Sequence, residues 1–459
     1  MNDTRILFAL LIGLILLIGM IVKTKIHTFL ALIITAIFIG VSGGMTYDEV
    51  IDSVTGGFGG TLGSIGIIIG FGVMMGQLFE VSNAAKRMAH TFIKIFGKGR
   101  EDLAMTITGF LVSIPIYCDS GFVILFPVAK ALSRSTRKSV ITLGLALASG
   151  LVITHTVVPP TPGPVGAAGI FGANVGAVIL WGILIAIPMV ISTLVYANWY
   201  GKKVYQLPDE NGDWIRPDRM SEIKASDFTF DDDEDMPSTF TAFLPIVAPI
   251  ILILINTIIS TLIKVGKVET SPLLEALMFI GTPIVAVGFG LLIAIFTLTK
   301  GMDRHSVITE METGIQSAGI IILVTGGGGA LGRVLTDSGV GNDIANYIST
   351  MNINALLLPF IIATLIRFIQ GSGTVAMLTA ASISAPIVIP LGVDPVFATL
   401  SACVGSIFFS YFNDSFFWVV NRSLGLTEAK EQIGGYSVVS TIAWAVGFIS
   451  IVILNFIFG

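Results

Sequence analysis

Long apolar runs recur along the whole chain and are separated by short polar stretches. A helix needs roughly 20 residues to cross the apolar layer of a membrane, which is about 30 Å thick. The first run is followed by Lys23 and Lys25, where a signal peptide would need small residues for cleavage, so we interpret it as a retained helix. About ten runs predict membrane-spanning helices: 6–22, 26–41, 61–80, 139–158, 175–199, 240–262, 273–298, 315–335, 395–412 and 437–457.

Two further apolar regions are each interrupted by a short polar tip. The arms of the first region would be about 22 Å and 18 Å long as helices, which is too short to cross the membrane. A non-helical tip at membrane depth is tolerated only where it lines a cavity or is buried in protein. We therefore predict two re-entrant hairpins. Their arms and tips are 103–117, 118–120 and 121–132 in the first, and 353–369, 370–374 and 375–391 in the second.

Positive charge predicts the side of the membrane on which each loop lies, because cytoplasmic loops are richer in Lys and Arg. The segments around the first hairpin carry many such residues, whereas 336–352 and 391–394, which flank the second, carry none. The hairpins are therefore expected to open to opposite sides, the first to the cytoplasm. Both chain termini are predicted outside, and Lys264 and Lys267 are one mild exception to the rule.

The two halves of the chain resemble each other in sequence. Residues 64–69 are similar to 317–322, and 119–123 to 371–375, at offsets near 252–256 residues. Each half holds five spans and one hairpin, and because five is odd, the second half must be inverted relative to the first. Inverted repeats with interrupted helices are typical of secondary transporters, whose substrate site lies near the interruptions. The predicted fold is an all-α polytopic membrane protein with two inverted repeats, two re-entrant hairpins and two broken helices.

Composition supports a membrane protein and excludes an ordinary soluble one. Only 12% of the 459 residues are charged, against about 25% in soluble domains. The net charge of −5 comes almost entirely from one segment with 5 basic and 11 acidic residues, so charge gives no sign of nucleic-acid binding. Two cysteines in apolar stretches indicate no disulfide framework. The chain is divided into an N-terminal repeat, an acidic cytoplasmic linker and a C-terminal repeat: 1–200, 201–239 and 240–459.

The tip of the first hairpin places Asp119 between two apolar arms. An ionisable residue at membrane depth is costly and is functional by default. The backbone N–H groups of Ser120 and Gly121 would open a helix there, and a helix start favours an anion. The alternative is that Asp119 only caps the second arm.

The tip of the second hairpin, 370–374, is rich in small residues that let a ligand approach the backbone. Arg367 lies one helical turn earlier and could hold a carboxylate through two parallel hydrogen bonds. Equally, it could form a structural ion pair with Asp119 or Asp414. The two interpretations stay open at this point.

Two spans are interrupted near their ends. Four prolines within 159–164 cannot continue a helix, because each removes a donor and clashes with the preceding turn. His155 lies at this break, where it could carry a proton or be a structural histidine. In the second half, Asn413 and Asp414 are polar within apolar flanks. They could bind a ligand or cap a helix start.

Four motifs resemble the gluconate permease (GntP) family of bacterial proton symporters, over nearly the whole chain. The resemblance implies an inner-membrane carrier of gluconate, related sugar acids or D-serine, with a fold like that of the ion-transporter superfamily. It also matches Arg367 to an arginine of gluconate carriers, whereas Thr161 stands where relatives often have His and Asp119 where many have Glu. The motifs are 59–64, 155–164, 326–330 and 413–418.

The residues and the resemblance together predict proton-coupled symport of gluconate or a related small hydroxy-carboxylate by alternating access. The alternatives are a carrier of D-serine, glycerate or another small organic acid, a channel, and an intramembrane enzyme. No metal, cofactor or nucleic acid is expected. The expected partners are the organic acid, protons and membrane lipid, with a homodimer as a further option, and the expected location is the cytoplasmic (inner) membrane.

The candidate site joins the two hairpin tips to 159–164 and 413–415 near the middle of the membrane. Desolvation at a helix break disfavours a charged carboxyl, so Asp119 is the first candidate for the proton carrier. Asp414 and then His155 follow it. The candidate substrate-binding residues are Ser120, Gly121, Thr154, His155, Thr161, Arg367, Ser372, Gly373, Thr374 and Asn413.

Overall fold

The computed structural model describes residues 4–97, 99–208, 214–216, 236–264, 268–339, 354–411 and 414–458. Nearly all of these residues are helical, as the sequence predicts. The helices of the first half are α1 Thr4–Lys23, α2 Thr28–Gly43, α3 Tyr47–Val81, α4 Ala84–Phe96, α5 Glu101–Val112, α6 Cys118–Thr136, α7 Val140–Val157, α8 Pro162–Phe171 and α9 Val175–Lys203. Those of the second half are α10 Thr239–Lys264, α11 Pro272–Ile280, α12 Pro283–Leu298, α13 Arg304–Asp337, α14 Leu357–Gln370, α15 Gly373–Val388, α16 Pro395–Gly405, α17 Ser415–Ser423 and α18 Ala429–Phe458.

Helix packing follows the same scheme in both halves. Helix α1 packs on α2 as α10 packs on α12, and α5 packs on α7 as α14 packs on α16. The long helices α3 and α13 cross each other, where a Cβ added at Gly57 would lie 2.5 Å from the carbonyl oxygen of Gly329. This correspondence is what an internal duplication produces. The inversion of one repeat relative to the other stays a prediction.

The surface of the helices is apolar where lipid would cover it. Helix α9 exposes a row of large apolar side chains that are between 42% and 66% accessible, while its opposite face is buried. Exposure of so continuous an apolar surface to water would be unfavourable. The chain is therefore an integral membrane protein. The exposed row is Leu180, Leu184, Ile187, Ile191 and Val195.

The length of the helices does not by itself define ten crossings. In the described ranges, four helical stretches are long and apolar enough to span, and two bent pairs would raise the number to six. Several other apolar helices, such as α2 and α16, have 10–17 residues. The prediction of about ten spans therefore stays a prediction.

Both predicted helical hairpins are present, but the first tip is longer and lies earlier than the sequence suggests, and the second tip is shorter. Helix α5 ends at Val112 and α6 begins at Cys118, so the first tip is 113–117, and Asp119 lies in the first turn of α6 instead of in the tip. In the second hairpin only Gly371 and Ser372 separate α14 from α15. Gly371 has a φ of 89°, a left-handed conformation that suits glycine and ends α14.

Both predicted helix breaks are also present. Helix α7 ends at Val157, before the first proline, and α8 begins at Pro162, whose fixed φ suits the first helical position. In the second half, α16 ends at Gly405 and α17 begins at Ser415. The predicted fold class, a polytopic helical membrane protein with two broken helices, is confirmed.

The linker predicted at 201–239 departs from a purely helical fold. Helix α9 continues to Lys203, and two short antiparallel strands follow, β1 Leu207–Pro208 and β2 Trp214–Ile215. Arg216 donates two hydrogen bonds of 2.8 Å to the carboxylate of Glu431 in α18. The described part of the linker is thus attached to the second half. The division of the chain at this linker stays a prediction.

Candidate functional site

A cavity of about 330 Å³, called here the central cavity, lies where the two hairpin tips meet. The ends of α7 and α14 and the starts of α6, α15 and α17 surround it. Residues 158–164 do not line it; they lie behind it, where Pro160 faces α3 and Gly163 faces Thr374. The lining residues are Tyr117, Cys118, Asp119, Val152, His155, Thr156, Arg367, Gln370, Gly371, Ser372, Gly373, Thr374, Met377, Ser406, Ile407, Asp414, Ser415, Phe416 and Tyr436.

Two helix starts point their positive ends at the central cavity. The first-turn amides of α6, at Cys118–Ser120, and of α15, beginning at Gly373, have no acceptor within their own helices. The hydroxyl of Ser372 accepts the amide of Val375 at 3.3 Å and so caps α15. The amides of Gly373 and Thr374 are left for a ligand. Such an arrangement favours an anion.

A buried ion pair forms one wall of the central cavity. Arg367 and Asp414 are 6% and 7% exposed, and the Arg367 Nη2 to Asp414 Oδ2 distance is 2.6 Å. Arg367 also donates to the carbonyl of Gly371. Asp414 accepts from the hydroxyl of Ser410 and, at 3.1 Å, from the amide of Phe416 at the start of α17. Of the two interpretations of Arg367, the structure shows the ion pair, and it leaves the guanidinium on the cavity wall.

Several other lining residues of the central cavity carry polar atoms without partners in the described part of the chain. Tyr117, Asp119, His155 and Gln370 each have a buried side-chain polar atom with no hydrogen-bond partner in the described part of the chain. The rings of Tyr117 and His155 pack at a centroid distance of 5.6 Å. Buried polar groups are nearly always hydrogen-bonded, so four such atoms around one cavity indicate a site that a polar ligand or water completes.

Seven of the predicted residues line the central cavity, and four others do not. Gly121 donates its amide to the carbonyl of Tyr117 at 2.9 Å, because α6 begins earlier than predicted, and Ser120 is also outside the lining. Thr161 donates its hydroxyl to the carbonyl of Val158 at 2.8 Å. Thr154 is fully buried beside the cavity. Asn413 lies outside the described residues. The seven are Asp119, His155, Arg367, Ser372, Gly373, Thr374 and Asp414.

Several residues that line the central cavity are not among the site residues predicted from the sequence. Tyr117 directly precedes the first predicted tip and Gln370 is the first residue of the second, so their positions were a usable signal. Ser406 and Tyr436 gave no such signal, since neither lies in a predicted tip or next to a predicted break. Tyr436 is fully buried and its ring meets that of Phe416 edge-on at 5.2 Å.

Helix α3 supports the first hairpin through a glycine. A Cβ added at Gly76 would overlap the carbonyl oxygen of Pro115 in the tip, and that oxygen belongs to the backbone. We expect Gly76→Ala to lower the stability by about 1–3 kcal/mol, as overpacking does, and to slow uptake by displacing the tip. Thermal unfolding in detergent measures the first effect.

Gly70→Ala is the matched control for Gly76→Ala. It lies in the same helix, and an added Cβ there would meet nothing within 4 Å. Alanine favours a helix over glycine by about 1 kcal/mol, so this variant should be as stable as the parent or more so. Equal stability of the two variants would contradict the proposed contact.

Comparison with known proteins places this architecture among membrane permeases. The sequence profile described as GntP family permease matches residues 5–457. An uncharacterized permease of Haemophilus influenzae is 47% identical over 99% of this chain and 93% of its own length. A high-affinity gluconate transporter of Escherichia coli is 34% identical over 97% of this chain and 98% of its own length.

A solved structure has a similar fold. The YdaH transporter of Alcanivorax borkumensis superposes with a TM-score of 0.64 and covers 94% of this chain and 98% of its own. The sequence identity is 15%, so the similarity extends to the fold alone.

Proposed function

Since this chain belongs to the GntP permease family, we propose that it is a proton-coupled symporter of gluconate or a related small hydroxy-carboxylate. One observation carries the proposal. A single cavity combines two helix starts, a buried guanidinium and four unpartnered polar atoms. The first two features suit a carboxylate, and the polar atoms suit the hydroxyl groups of a sugar acid.

The substrate carboxylate is proposed to lie between the two tips. There the amides of Cys118–Ser120 and of Gly373–Thr374 are donors, and Arg367 supplies positive charge. The hydroxyls are assigned to Tyr117, His155 and Gln370, whose buried atoms have no other partner in the described ranges. The amide donors in α6 are therefore Cys118–Ser120, whereas Gly121, which the sequence predicts as a donor, is not among them.

The proton is proposed to reside on Asp119. The ion pair of Arg367 and Asp414 has no net charge, so an ionised Asp119 would make the central cavity negative overall before the substrate enters. A second carboxylate about 4 Å away would then be repelled by about 4 kcal/mol at an effective dielectric constant of 20. Protonation of Asp119 removes this repulsion. Proton and substrate would therefore bind together, which is the condition for symport.

Alternating access would need a second route that connects the substrate site to the opposite side of the membrane. A second cavity of about 460 Å³ includes Ala385, near the end of α15, while the start of α15 lines the central cavity. Between the two cavities, Gly163 and Gly166 of α8 pack against Met377 and Leu378 of α15. We propose that rearrangement at this contact opens the site to the second cavity.

One observation favours a different substrate. The unpartnered carboxylate oxygen of Asp119 could hold an ammonium group as well as a proton. An amino acid such as D-serine would then be carried as a zwitterion, with its carboxylate at the same helix starts. This is the second candidate.

Uptake by the purified full chain in lipid vesicles tests both candidates. Vesicles with an acidic exterior should accumulate labelled gluconate, and a proton ionophore should abolish the accumulation. Competition by glycerate, other aldonates and D-serine ranks the substrates. No saturable uptake of any carboxylate, or accumulation that an ionophore leaves unchanged, would refute proton symport.

Gln370 offers a test of the hydroxyl contacts. Gln370→Ala removes the acceptor, and the loss of one hydrogen bond of about 1–1.5 kcal/mol should raise KM for gluconate about tenfold. The maximal rate should change little. Ser384→Ala is the control, because that hydroxyl is in the same pair of helices, donates to the carbonyl of Ala380 and lies outside the cavity lining. An unchanged KM in Gln370→Ala would remove Gln370 from the site.

A further inference from the structure

Tyr436 lines the central cavity from an irregular turn of α18. This turn, Ile433–Ser437, is π-helical. Such turns are rare, and they occur often at functional sites. Gly434 and Gly435 favour an α-helix only weakly, so the sequence permits an irregular turn at this position. The transport mechanism proposed above does not use Tyr436.

The side chain of Tyr436 lies among the charges of the site. It interacts electrostatically with Asp414, Arg367 and Asp119. Its ring packs edge-on against that of Phe416, at the start of α17, with a centroid distance of 5.2 Å. A phenol hydroxyl can both donate and accept a hydrogen bond. It is therefore suited to a carboxylate beside Arg367, which is the position proposed for the substrate.

Helix α9 holds the irregular turn through two tyrosines. The hydroxyl of Tyr196 donates to the carbonyl of Gly434. The hydroxyl of Tyr200 donates to the carbonyl of Glu431, just before the turn, at 2.8 Å. A Cβ added at Gly434 would lie 2.8 Å from the hydroxyl oxygen of Tyr200, so glycine suits this close approach. The backbone of the turn is thus attached to α9.

An ion pair attaches the linker to the residues directly before the turn. Arg216, which follows β2, donates two hydrogen bonds of 2.8 Å to the carboxylate of Glu431. Two parallel bonds of this kind fix the direction in which the partners approach. The side chain of Arg216 is 46% exposed, and an exposed ion pair contributes little to stability. Loss of the pair should therefore move the turn without unfolding the protein.

A second set of contacts ties the linker to the connection between α17 and α18. Arg216 also donates to the side-chain oxygen of Gln206 at 3.2 Å. The amide nitrogen of Gln206 donates to the carbonyl of Leu424 at 2.7 Å. Trp214 lies against Gly425, since a Cβ added there would overlap the indole ring. The linker therefore contacts both ends of the segment that leads into the irregular turn.

These contacts connect the linker to the central cavity. We propose that Tyr436 is a further substrate-binding residue and that Arg216 positions it through Glu431. The inference rests on the proposed transport of a carboxylate. Arg216 does not line the central cavity and acts on the substrate only through the irregular turn, so it is a positioning residue.

Binding of gluconate to the purified full chain, measured by isothermal titration calorimetry, tests the substrate contact. Tyr436→Phe keeps the ring that packs on Phe416 and removes one hydrogen bond to the substrate. The Kd for gluconate should therefore rise about tenfold, while Tm should stay unchanged. Tyr205→Phe is the matched control, because it also loses a hydroxyl, which donates to the carbonyl of Arg137 outside the cavity. It should bind gluconate like the parent.

A double variant tests the positioning role. Arg216→Gln should raise the Kd about threefold, in keeping with a partly exposed ion pair. Added to Tyr436→Phe, it should have no further effect, because residues that act through one another are not additive, whereas independent ones are. Lys202→Gln is the control for the loss of charge, since Lys202 is an exposed cation near the end of α9. Its Kd should equal that of the parent.

Three results would each overturn the proposal in a parent that binds gluconate. They are an unchanged Kd in Tyr436→Phe, an unchanged Kd in Arg216→Gln, and a further threefold rise when the two changes are combined. Arg216→Gln alters only a partly exposed residue, so it decides the matter if Tyr436→Phe does not fold. Absence of binding of gluconate, glycerate and D-serine by the parent would refute the proposed function, and this inference with it.

Discussion

Replacing Arg367 with methionine is expected to abolish uptake and to destabilise the protein. The change leaves Asp414 buried without its cation, which costs about 3–5 kcal/mol in comparable buried pairs. It also removes the only cation among the described residues that line the central cavity. Uptake of labelled gluconate should fall to the level of empty vesicles, and thermal unfolding in detergent should show the loss of stability.

A double variant separates the structural role of Arg367 from its role in binding. In Arg367→Met with Asp414→Asn, no unpaired charge remains, and the asparagine can still accept the amide of Phe416 that Asp414 accepts now. Most of the lost stability should return, because removing both partners is much less costly than removing one. Uptake should stay absent. Recovery of uptake along with stability would show that Arg367 acts only as the partner of Asp414.

Asp119→Asn is expected to separate substrate binding from proton coupling. The amide resembles a protonated carboxyl in size and charge, so substrate should still bind and exchange across the membrane. Net accumulation driven by a pH difference should be lost, because no group at this position can then release a proton. Measurements of counterflow and of accumulation in the same vesicles distinguish the two activities.

The pH dependence of binding should change in the same variant. In the parent, affinity for gluconate should fall as the pH rises, because an ionised Asp119 repels the incoming carboxylate. In Asp119→Asn this dependence should be much weaker. Asp394→Asn is the control, since Asp394 caps the start of α16 and does not line the central cavity. Accumulation in response to a pH difference by Asp119→Asn would exclude Asp119 as the carrier.

The sequence was most informative where the chain departs from a regular helix. Prolines at 159–164, the small residues at 371–373 and single charges such as Arg367 within apolar stretches each have a local physical meaning. They predicted the interruptions, and the structure places helix ends next to these interruptions around one cavity. The residues that cause these interruptions can be recognised without knowledge of tertiary packing.

Side-chain direction could not be predicted in the same way. Thr161 and Thr154 are close in sequence to lining residues, yet Thr161 bonds to Val158 and Thr154 is buried outside the cavity. Conversely, Tyr436 reaches the cavity from α18, far along the chain. In apolar helices buried on several sides, residue type does not mark one face, so only tertiary packing decides which polar group meets the ligand.

Glycines on α3 connect the two interruptions of the first half mechanically. The carbonyl of Pro115, in the first tip, lies at Gly76, and that of Pro160, in the proline break, would be 3.3 Å from a Cβ added at Gly72. The two glycines are one helical turn apart, so both segments rest on the same short stretch of backbone. A shift of α3 along its axis would push both at once. The walls that carry Asp119 and His155 would thus move together, and the distance between these two candidate proton carriers would be preserved while access to the site changes.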